Sequence, residues 1–577
     1  MRKWVSKRYP ADLKKIAERY QITEIVADVL VKRGLFDWKA MDTYLFPDET
    51  IMHPPEEMKD FVKAAGILER KIDEGKMIKI IGDYDVDGIM STYILHRGIQ
   101  LLGGEAGYCI PHRVEDGYGM RDYMAKEAFS EGYDTILTCD NGISAADAVA
   151  CAKELGMTVV VTDHHEVPCE GEKECLPDAD AIVDPKQKEC NYPFKNLCGA
   201  GIAYKLMRYL LKKRGINVYE KELLPFAAVA TVCDVVPLMD ENRYIVKRGL
   251  ELLKETSQLG LRALLDALQL KERMDSYTLG FRIGPCLNAA GRLSAAQKGM
   301  KLFLAATPKE AKERAEELVT LNEERKDYTA KATQRAIQII EERKMLHDTV
   351  LVVYIPDCHE SVAGIVAGRI REKYYRPTLI VTDAKTMLKG SARSIPGYHV
   401  QKELSKCSYL LEEFGGHALA AGFSLKEENL DSLRETLNQN SALGEEELTE
   451  KVYFDCEVPL EEMTHGVVQQ LSYMEPFGEG NERAVFARGN VSIVSMRLCG
   501  KEMRIAQLKL RDGMQVFDGI DFQAENCLFP AIKERYGEEA CERLKNGTGK
   551  DYVLDILYRP TINERYGNIQ FQIIDCQ

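Results

Sequence analysis

Three segments of this chain read as buried β-strands, and each ends in acids or imidazoles. Met77-Ile78-Lys79-Ile80-Ile81 runs into Gly82-Asp83-Tyr84-Asp85-Val86-Asp87-Gly88. Thr135-Ile136-Leu137-Thr138-Cys139 runs into Asp140-Asn141-Gly142, and Met157-Thr158-Val159-Val160-Val161-Thr162 runs into Asp163-His164-His165. Strand signals over 77–85, 106–111, 135–140, 158–164 and 181–184 alternate with helical stretches such as 88–102 and 144–155, which predicts an α/β domain with a parallel sheet. Strand carboxyl ends in such a sheet line up along one crevice, where ligands bind. Oxygen and imidazole donors gathered there suit a hard or borderline divalent ion such as Mn²⁺, Mg²⁺ or Zn²⁺.

A chain of 577 residues is too long for one core, so three or four domains are expected. No apolar run is long enough to span a bilayer, and the basic start Met1 to Arg8 has no apolar stretch after it, so a cytoplasmic protein with no membrane contact is expected. The net charge of −14 argues against a chain coated in nucleic acid but not against a local basic groove. The 16 cysteines are scattered without a CxxC pair and read as free thiols in a reducing compartment. A structural zinc among Cys169, Cys175, Cys190 and Cys198 is the competing reading of that stretch.

The pattern predicts five regions. Residues 1–50 form a polar helical segment, and 51–305 the first α/β domain, mostly helical after 199. Residues 306–347 hold a long charge-laced helix, opened by Pro308, that would reach roughly 55 Å. A helix polar nearly all round commonly bridges domains. Residues 348–445 form a second α/β unit, with strands at 349–354 and 377–382 around a helix at 362–373. Residues 446–577 alternate in strand fashion and suggest a small barrel with an OB-fold.

The chemistry-bearing residues follow from position. Asp83, Asp85 and Asp87 alternate as a strand ends, so they share a face if the strand geometry persists. Asp140 alone would read as a helix cap, but its parallel with the other two strand ends favours a ligand that can bridge two metals. Adjacent imidazoles point to different sides, so one of His164 and His165 can ligate while the other faces substrate. Asp234 lies inside the apolar run Ala230 to Leu238, where an unpaired carboxylate is costly and a metal or cation is expected. Such a set can hold two divalent ions about 4 Å apart, the arrangement for in-line displacement at phosphorus. In the second α/β unit, Gly390-Ser391-Ala392-Arg393-Ser394 and Phe414 to Gly422 read as glycine-rich turns whose backbone N–H groups, with Arg393, can take phosphate.

Together these segments resemble a known family. Gly82 to Gly88, Asp140 to Gly142, Asp163 to His165 and Thr231 to Leu238 are similar to the four motifs of DHH-superfamily phosphoesterases. Gly390 to Ser394 and Phe414 to Gly422 resemble the associated DHHA1 domain. Pro111-His112-Arg113, Gly117-Tyr118-Gly119, Gly284 to Leu293 and Glu475 to Asn481 narrow the resemblance to the RecJ exonucleases. It implies a DHH domain, a long connecting helix, a DHHA1 domain and an OB-like barrel that binds the incoming strand. It also implies a 5′→3′ exonuclease on single-stranded DNA that releases 5′-mononucleotides in repair and recombination, with two Mn²⁺ or Mg²⁺ ions. Carried over residue by residue, Asp83, Asp85, Asp87, Asp140, His164 and Asp234 become metal ligands. His165 becomes a catalytic residue facing the scissile phosphate, with Asp140 and His164 counted beside it. Arg113 and Tyr118 would meet the terminal nucleotides, and Asn288, Arg292, Ser391, Arg393, Gly416 and His417 the DNA backbone or terminal phosphate. A RecQ-type helicase and a single-strand-binding protein are the implied partners of a monomer. Cys286 stands where many relatives have arginine, and Ser361 and Ala392 stand where glycine is common. The competing readings are a phosphodiesterase of short RNA or cyclic dinucleotides, which would need neither the barrel nor the long helix, and a non-catalytic DNA-binding scaffold, which would not need a complete ligand set.

Overall fold

The computed structural model describes residues 2–113, 115–270, 274–500, 504–549 and 551–577. They form two compact units, each assembled from separated stretches of chain. The first comprises Asp42–Tyr328 with Pro476–Glu482, and the second comprises residues up to Met41, Thr329–Glu475 and Arg483–Gln577.

In the first unit, five strands make a wholly parallel sheet in the order Ala106–Cys109, Ile78–Ile81, Thr135–Cys139, Thr158–Thr162, Ala181–Val183. Side chains alternate across it. Ile78, Ile80, Leu137 and Val160 enter one core, and Ile81, Ile136, Val159 and Val161 enter another on the opposite face. Both faces are covered, which is why these strands are apolar on both sides apart from Lys79 and a few threonines. Helices Val86–Leu101, Gly199–Lys213 and Tyr219–Cys233 fill the first core, and Asp122–Ser130 with Ala146–Glu154 the second. The chain leaves Ile78–Ile81 for one neighbouring position and returns on its other side at Thr135–Cys139. That reversal opens a crevice at the carboxyl ends of these two strands. Ile81 is level with Thr138, and Cys139 with Thr162. The three acid-bearing segments therefore leave the sheet at one edge.

The second unit holds a five-stranded sheet in the order Glu413–Gly416, Ala420–Leu425, Leu388–Arg393, Thr378–Asp383, Leu351–Tyr354, in which only the last pair is parallel. Helix Glu360–Tyr374 links that pair. The glycine-rich segments expected as turns are therefore largely strand. The reason is packing: a Cβ on Gly390 would lie 2.0 Å from the Phe423 ring, so the glycine lets that ring cross the neighbouring strand. Five strands, Phe486–Cys499, Ile505–Asp512, Gln515–Asp521, Ile569–Cys576 and Tyr552–Ile562, close into the expected barrel when the last pairs back with the first. Register shifts at Arg488/Val491 and Ile493/Ser495 bend the long first strand so that it serves both neighbours. Helices Leu528–Tyr536 and Glu538–Lys545 interrupt the strand pattern. The segment read as wholly helical at the start opens instead with strand Lys3–Val5, paired in parallel with Lys451–Tyr453.

The charge-laced segment is one helix, Pro308–Glu342. Ala315 and Leu318 lie in the core of the first unit, and Ala336 and Ile340 in that of the second.

Helices Tyr219–Cys233 and Asp240–Lys254 cross at Gly249, where a Cβ would lie 2.3 Å from the Ala228 Cβ and 3.2 Å from the Leu224 carbonyl. Alanine gains about 1 kcal/mol over glycine in helix propensity, but overpacking a tight crossing costs about 1–3 kcal/mol. Gly249→Ala is therefore expected to lower the thermal unfolding midpoint in calorimetry. An unchanged or raised midpoint would show that the helices part without cost.

Candidate metal centre

The loop after Ile78–Ile81 places its three acids differently. Asp83 is buried beside the strand end, and its Oδ1 has no hydrogen-bond partner. Asp85 caps helix Val86–Leu101, accepting from the Gly88 N–H at 3.1 Å. Asp87 lies in the first turn, and its two oxygens accept from the Gly199 and Ala200 N–H groups at 2.6 and 2.8 Å. Those amides are the unpaired donors at the start of helix Gly199–Lys213, a natural seat for a carboxylate. Glycine is required at two of these positions. A Cβ on Gly88 would meet the Asp83 carbonyl at 2.4 Å, and one on Gly199 the Asp140 Cβ at 2.7 Å.

Asp140 follows Thr135–Cys139 with φ of 59°, a left-handed conformation that, after glycine, aspartate and asparagine adopt most readily. Asn141 holds the turn by donating to the Ile81 and Cys139 carbonyls at 3.0 and 2.9 Å. At the next strand end, Asp163 is fully buried and acts as a clamp. Its Oδ2 accepts from the Ile143 N–H at 2.9 Å, and its Oδ1 accepts from the His164 N–H at 2.8 Å and lies 2.8 Å from His165 Nδ1. Because a carboxylate only accepts, His165 carries its proton on Nδ1, and Nε2 is left for other contacts. The Tyr118 hydroxyl lies 2.9 Å from the same Nδ1 and donates to the Asp140 carbonyl at 3.0 Å. His164 points the other way. Its Nε2 lies 3.0 Å from Asp140 Oδ1, 3.5 Å from Asp87 Oδ2 and 3.8 Å from Asp234 Oδ2. Asp234 reaches this point as the residue that ends helix Tyr219–Cys233.

Three groups of donor atoms result, each with one atom per residue and all within 4.8 Å of one another: Asp83, Asp85 and Asp140; Asp87, His164 and Asp234; Asp140, His164 and His165. Asp140 and His164 belong to two groups each, so the sets adjoin. Burial, reinforced by neighbouring acids, raises the carboxyls of Asp83, Asp85, Asp140 and Asp234 above their ordinary range. Burial likewise lowers His164, against the pull of Asp87. His165 goes the other way: burial opposes its charge, but its hydrogen bond to Asp163 and that residue's charge raise it. An orphaned buried oxygen on Asp83 and a crowd of oxygen donors around one imidazole are what hard divalent cations take up.

Cations ring the same loop. Arg113 stacks its guanidinium on Tyr84, 4.6 Å from the ring centroid. Helix Gly284–Leu293 abuts it, because a Cβ on Gly291 would lie 2.7 Å from the Tyr84 carbonyl. Asn288 and Arg292 are half-buried on one face of that helix. The structure thus gathers Asp83, Asp85, Asp87, Asp140, His164, His165, Asp234 and Tyr118, with Arg113 and Arg292 beside Tyr84. Asn288 shares the helix of Arg292, and the other predicted residues lie in the second unit. Ser391 and Arg393 are on strand Leu388–Arg393, Gly416 ends Glu413–Gly416 with φ of 144°, and the His417 N–H donates to the Ala420 carbonyl at 2.7 Å. Ser391 lines a cavity of about 390 Å³ with Gly390, Gly415 and Gly422.

Comparison with known proteins places this architecture. Family models match residues 77–231 (DHH family, N-terminal domain), 347–442 (DHHA1 domain) and 454–575 (RecJ OB domain). The single-stranded-DNA-specific exonuclease RecJ of Haemophilus influenzae is 34% identical over 90% of both chains, and that of Escherichia coli 34% identical over 91% of both. The chain belongs to the RecJ family. The RecJ of Bacillus subtilis is 36% identical over 90% of this chain, which spans 66% of that relative's length. Among solved structures, RecJ of Thermus thermophilus in complex with Mn²⁺ superposes with a TM-score of 0.81 at 26% identity, covering all of this chain and 79% of that one. An exonuclease RecJ bound to manganese gives 0.59 at 32% identity, covering 67% of this chain and 96% of that one.

Within the RecJ frame the local departures have structural accounts. Cys286 is fully buried, its thiol 3.3 Å from the Arg282 carbonyl and 3.5 Å from Asn322 Nδ2, so it packs and presents nothing to a phosphate. Ser361 is buried against His359, and Ala392 lies in the core. The four cysteines between 169 and 198 join none of the ligand groups among the described residues.

Asp184 was not anticipated. It follows strand Ala181–Val183, is buried, and has one oxygen on the Lys186 N–H at 2.7 Å and one unpaired. The available signal was an acid at the end of a fifth strand. Burial and the charge of Asp163 push it up to about 8. Because the folded value exceeds the unfolded one, its contribution is intact below about pH 4 and is lost as pH rises toward 8. Asp184→Asn, which keeps the acceptor and does not titrate, is expected to stabilise the fold at pH 8 by a few kcal/mol on an order-of-magnitude basis, with no gain at pH 4. Thermal melts across that range check this, and a gap independent of pH would refute it.

Proposed function

We propose that this chain hydrolyses single-stranded DNA from the 5′ end and releases 5′-mononucleotides. The observation that carries this is the three adjoining ligand sets at the sheet edge, linked through Asp140 and His164, in a chain that matches the DHH, DHHA1 and RecJ OB domains. Asp83, Asp85, Asp87, Asp140, His164 and Asp234 would hold two Mn²⁺ or Mg²⁺ ions. Bound there, such ions activate water and stabilise charge on the attacking and leaving oxygens.

The chain's own groups do the positioning. Asp163 and Tyr118 fix His165 by Nδ1, and Asp163 favours the doubly protonated ring, whose Nε2–H is left to donate to a phosphate oxygen. Arg113, braced on Tyr84, and Arg292 supply positive charge that screens the backbone from the acids. Ser391, Arg393, Gly416 and His417 serve as the phosphate-binding elements of the second unit, and the barrel carries the incoming strand. A RecQ-type helicase and a single-strand-binding protein suit such an enzyme, which needs unwound strand as its supply. No helix among the described residues is long and apolar enough to cross a membrane. The 16 free cysteines support a reducing, cytoplasmic setting.

The test supplies 5′-labelled single-stranded DNA, duplex DNA, short RNA and cyclic dinucleotides with Mn²⁺, with and without EDTA. Mononucleotides are expected from the single strand alone, and none with EDTA. Asp140→Asn, which tolerates the left-handed backbone, should lower the rate by roughly 100-fold or more. His165→Ala should lower kcat by about 10²–10⁴-fold. Survival of the single strand with Mn²⁺ present, or full activity in Asp140→Asn, would sink the proposal.

A further inference from the structure

Residues 276–283 form an unusual turn. Ser276–Thr278 is a single helical turn that runs directly into a π-helical one, Leu279–Ile283, and π turns concentrate at functional sites. On its outer side the rings of Tyr277 and Phe281 stack, with centroids 4.7 Å apart and planes 17° off parallel. They are 58% and 66% exposed. A single exposed aromatic needs no explanation. Two stacked ones with an open outer face, next to the charged Arg282, form a patch of the kind that marks a binding surface.

The turn is held against the element that delivers Asp234. The Cys233 thiol contacts the Leu279 carbonyl at 3.6 Å. A Cβ on Gly284 would lie 2.4 Å from that thiol, and one on Gly280 3.3 Å from a Val232 methyl. Val235, just past Asp234, is 63% exposed with φ of 58°, a strained state for a β-branched residue. Asp275 caps the turn at the Thr278 N–H at 2.9 Å, and the Ser276 hydroxyl bonds the Phe477 carbonyl. The platform is thus anchored at both ends, and its turn packs against the two residues that precede a proposed metal ligand.

We propose that Tyr277 and Phe281 are a base-stacking platform for the DNA strand beside the metal centre. This rests on the nuclease reading above. The occupant is a nucleobase rather than a protein side chain because the exposed rings already stack as a base would extend, on a turn packed against the residues that lead into Asp234, where the phosphate chemistry lies. Every base has a π-face, so the platform would bind without sequence preference.

The test compares wild type, Tyr277→Ala, Phe281→Ala and Phe281→Trp on a single strand and on the same strand with abasic sites in place of bases. Phe281→Ala should raise KM roughly 5- to 100-fold on the normal strand, with kcat held within about two-fold and little change on the abasic strand. Phe281→Trp should restore KM. Circular dichroism melts should be unchanged, since both rings are exposed. An unchanged KM in an active series, or an equal loss on the abasic strand, overturns the platform and leaves the nuclease reading standing. Fluorescence of a 2-aminopurine strand separates the two claims. If the wild type cleaves no DNA yet quenches the probe through Phe281, the platform stands and the nuclease reading fails. If it neither cleaves nor quenches, both fail.

Discussion

Mutual repulsion among buried carboxylates sets the terms for the first unit. Two unit charges about 4 Å apart cost about 4 kcal/mol even at an effective dielectric near 20, and five acids converge on one sheet edge. Nothing local holds them there unaided. Asp87 is neutralised in part by two helix-start amides, and Asp140 by His164. Asp83 keeps an unpaired oxygen. The glycines at 88 and 199 exist because a side chain there would strike the Asp83 backbone and the Asp140 side chain. The sheet, its helices and the return of the chain at Asp234 form the scaffold required to keep this set crowded.

Much of this was legible before the fold. Each of three apolar runs ended in its own acid or imidazole, and a parallel sheet aligns such ends whatever the loops do. The barrel and the long helix followed from alternation and from an unbroken charged pattern. The partners of Asp87 were not legible, because backbone amides leave no residue-specific trace. Asp163, which in sequence reads as orienting its two neighbours rather than binding metal, is a buried clamp on both histidines.

The second unit shows where local chemistry misleads. Gly390 and Gly415 are turn-forming residues by composition, yet tertiary packing places them in strands because Phe423 needs the space over Gly390. Propensity lost to a ring on the neighbouring strand. Helices at 528–545 were missed for a related reason: they are short and contribute only a few buried side chains each.

The pairing of Lys3–Val5 with Lys451–Tyr453 has a consequence for how the chain is made. Strand Lys3–Val5 has no partner until roughly 450 residues have followed it from the ribosome. At 5–20 residues per second that is a wait of tens of seconds with an unsatisfied edge. The first unit is also incomplete until Pro476–Glu482 arrives. Neither unit can finish before most of the chain exists, so synthesis and folding of the two are interleaved rather than sequential.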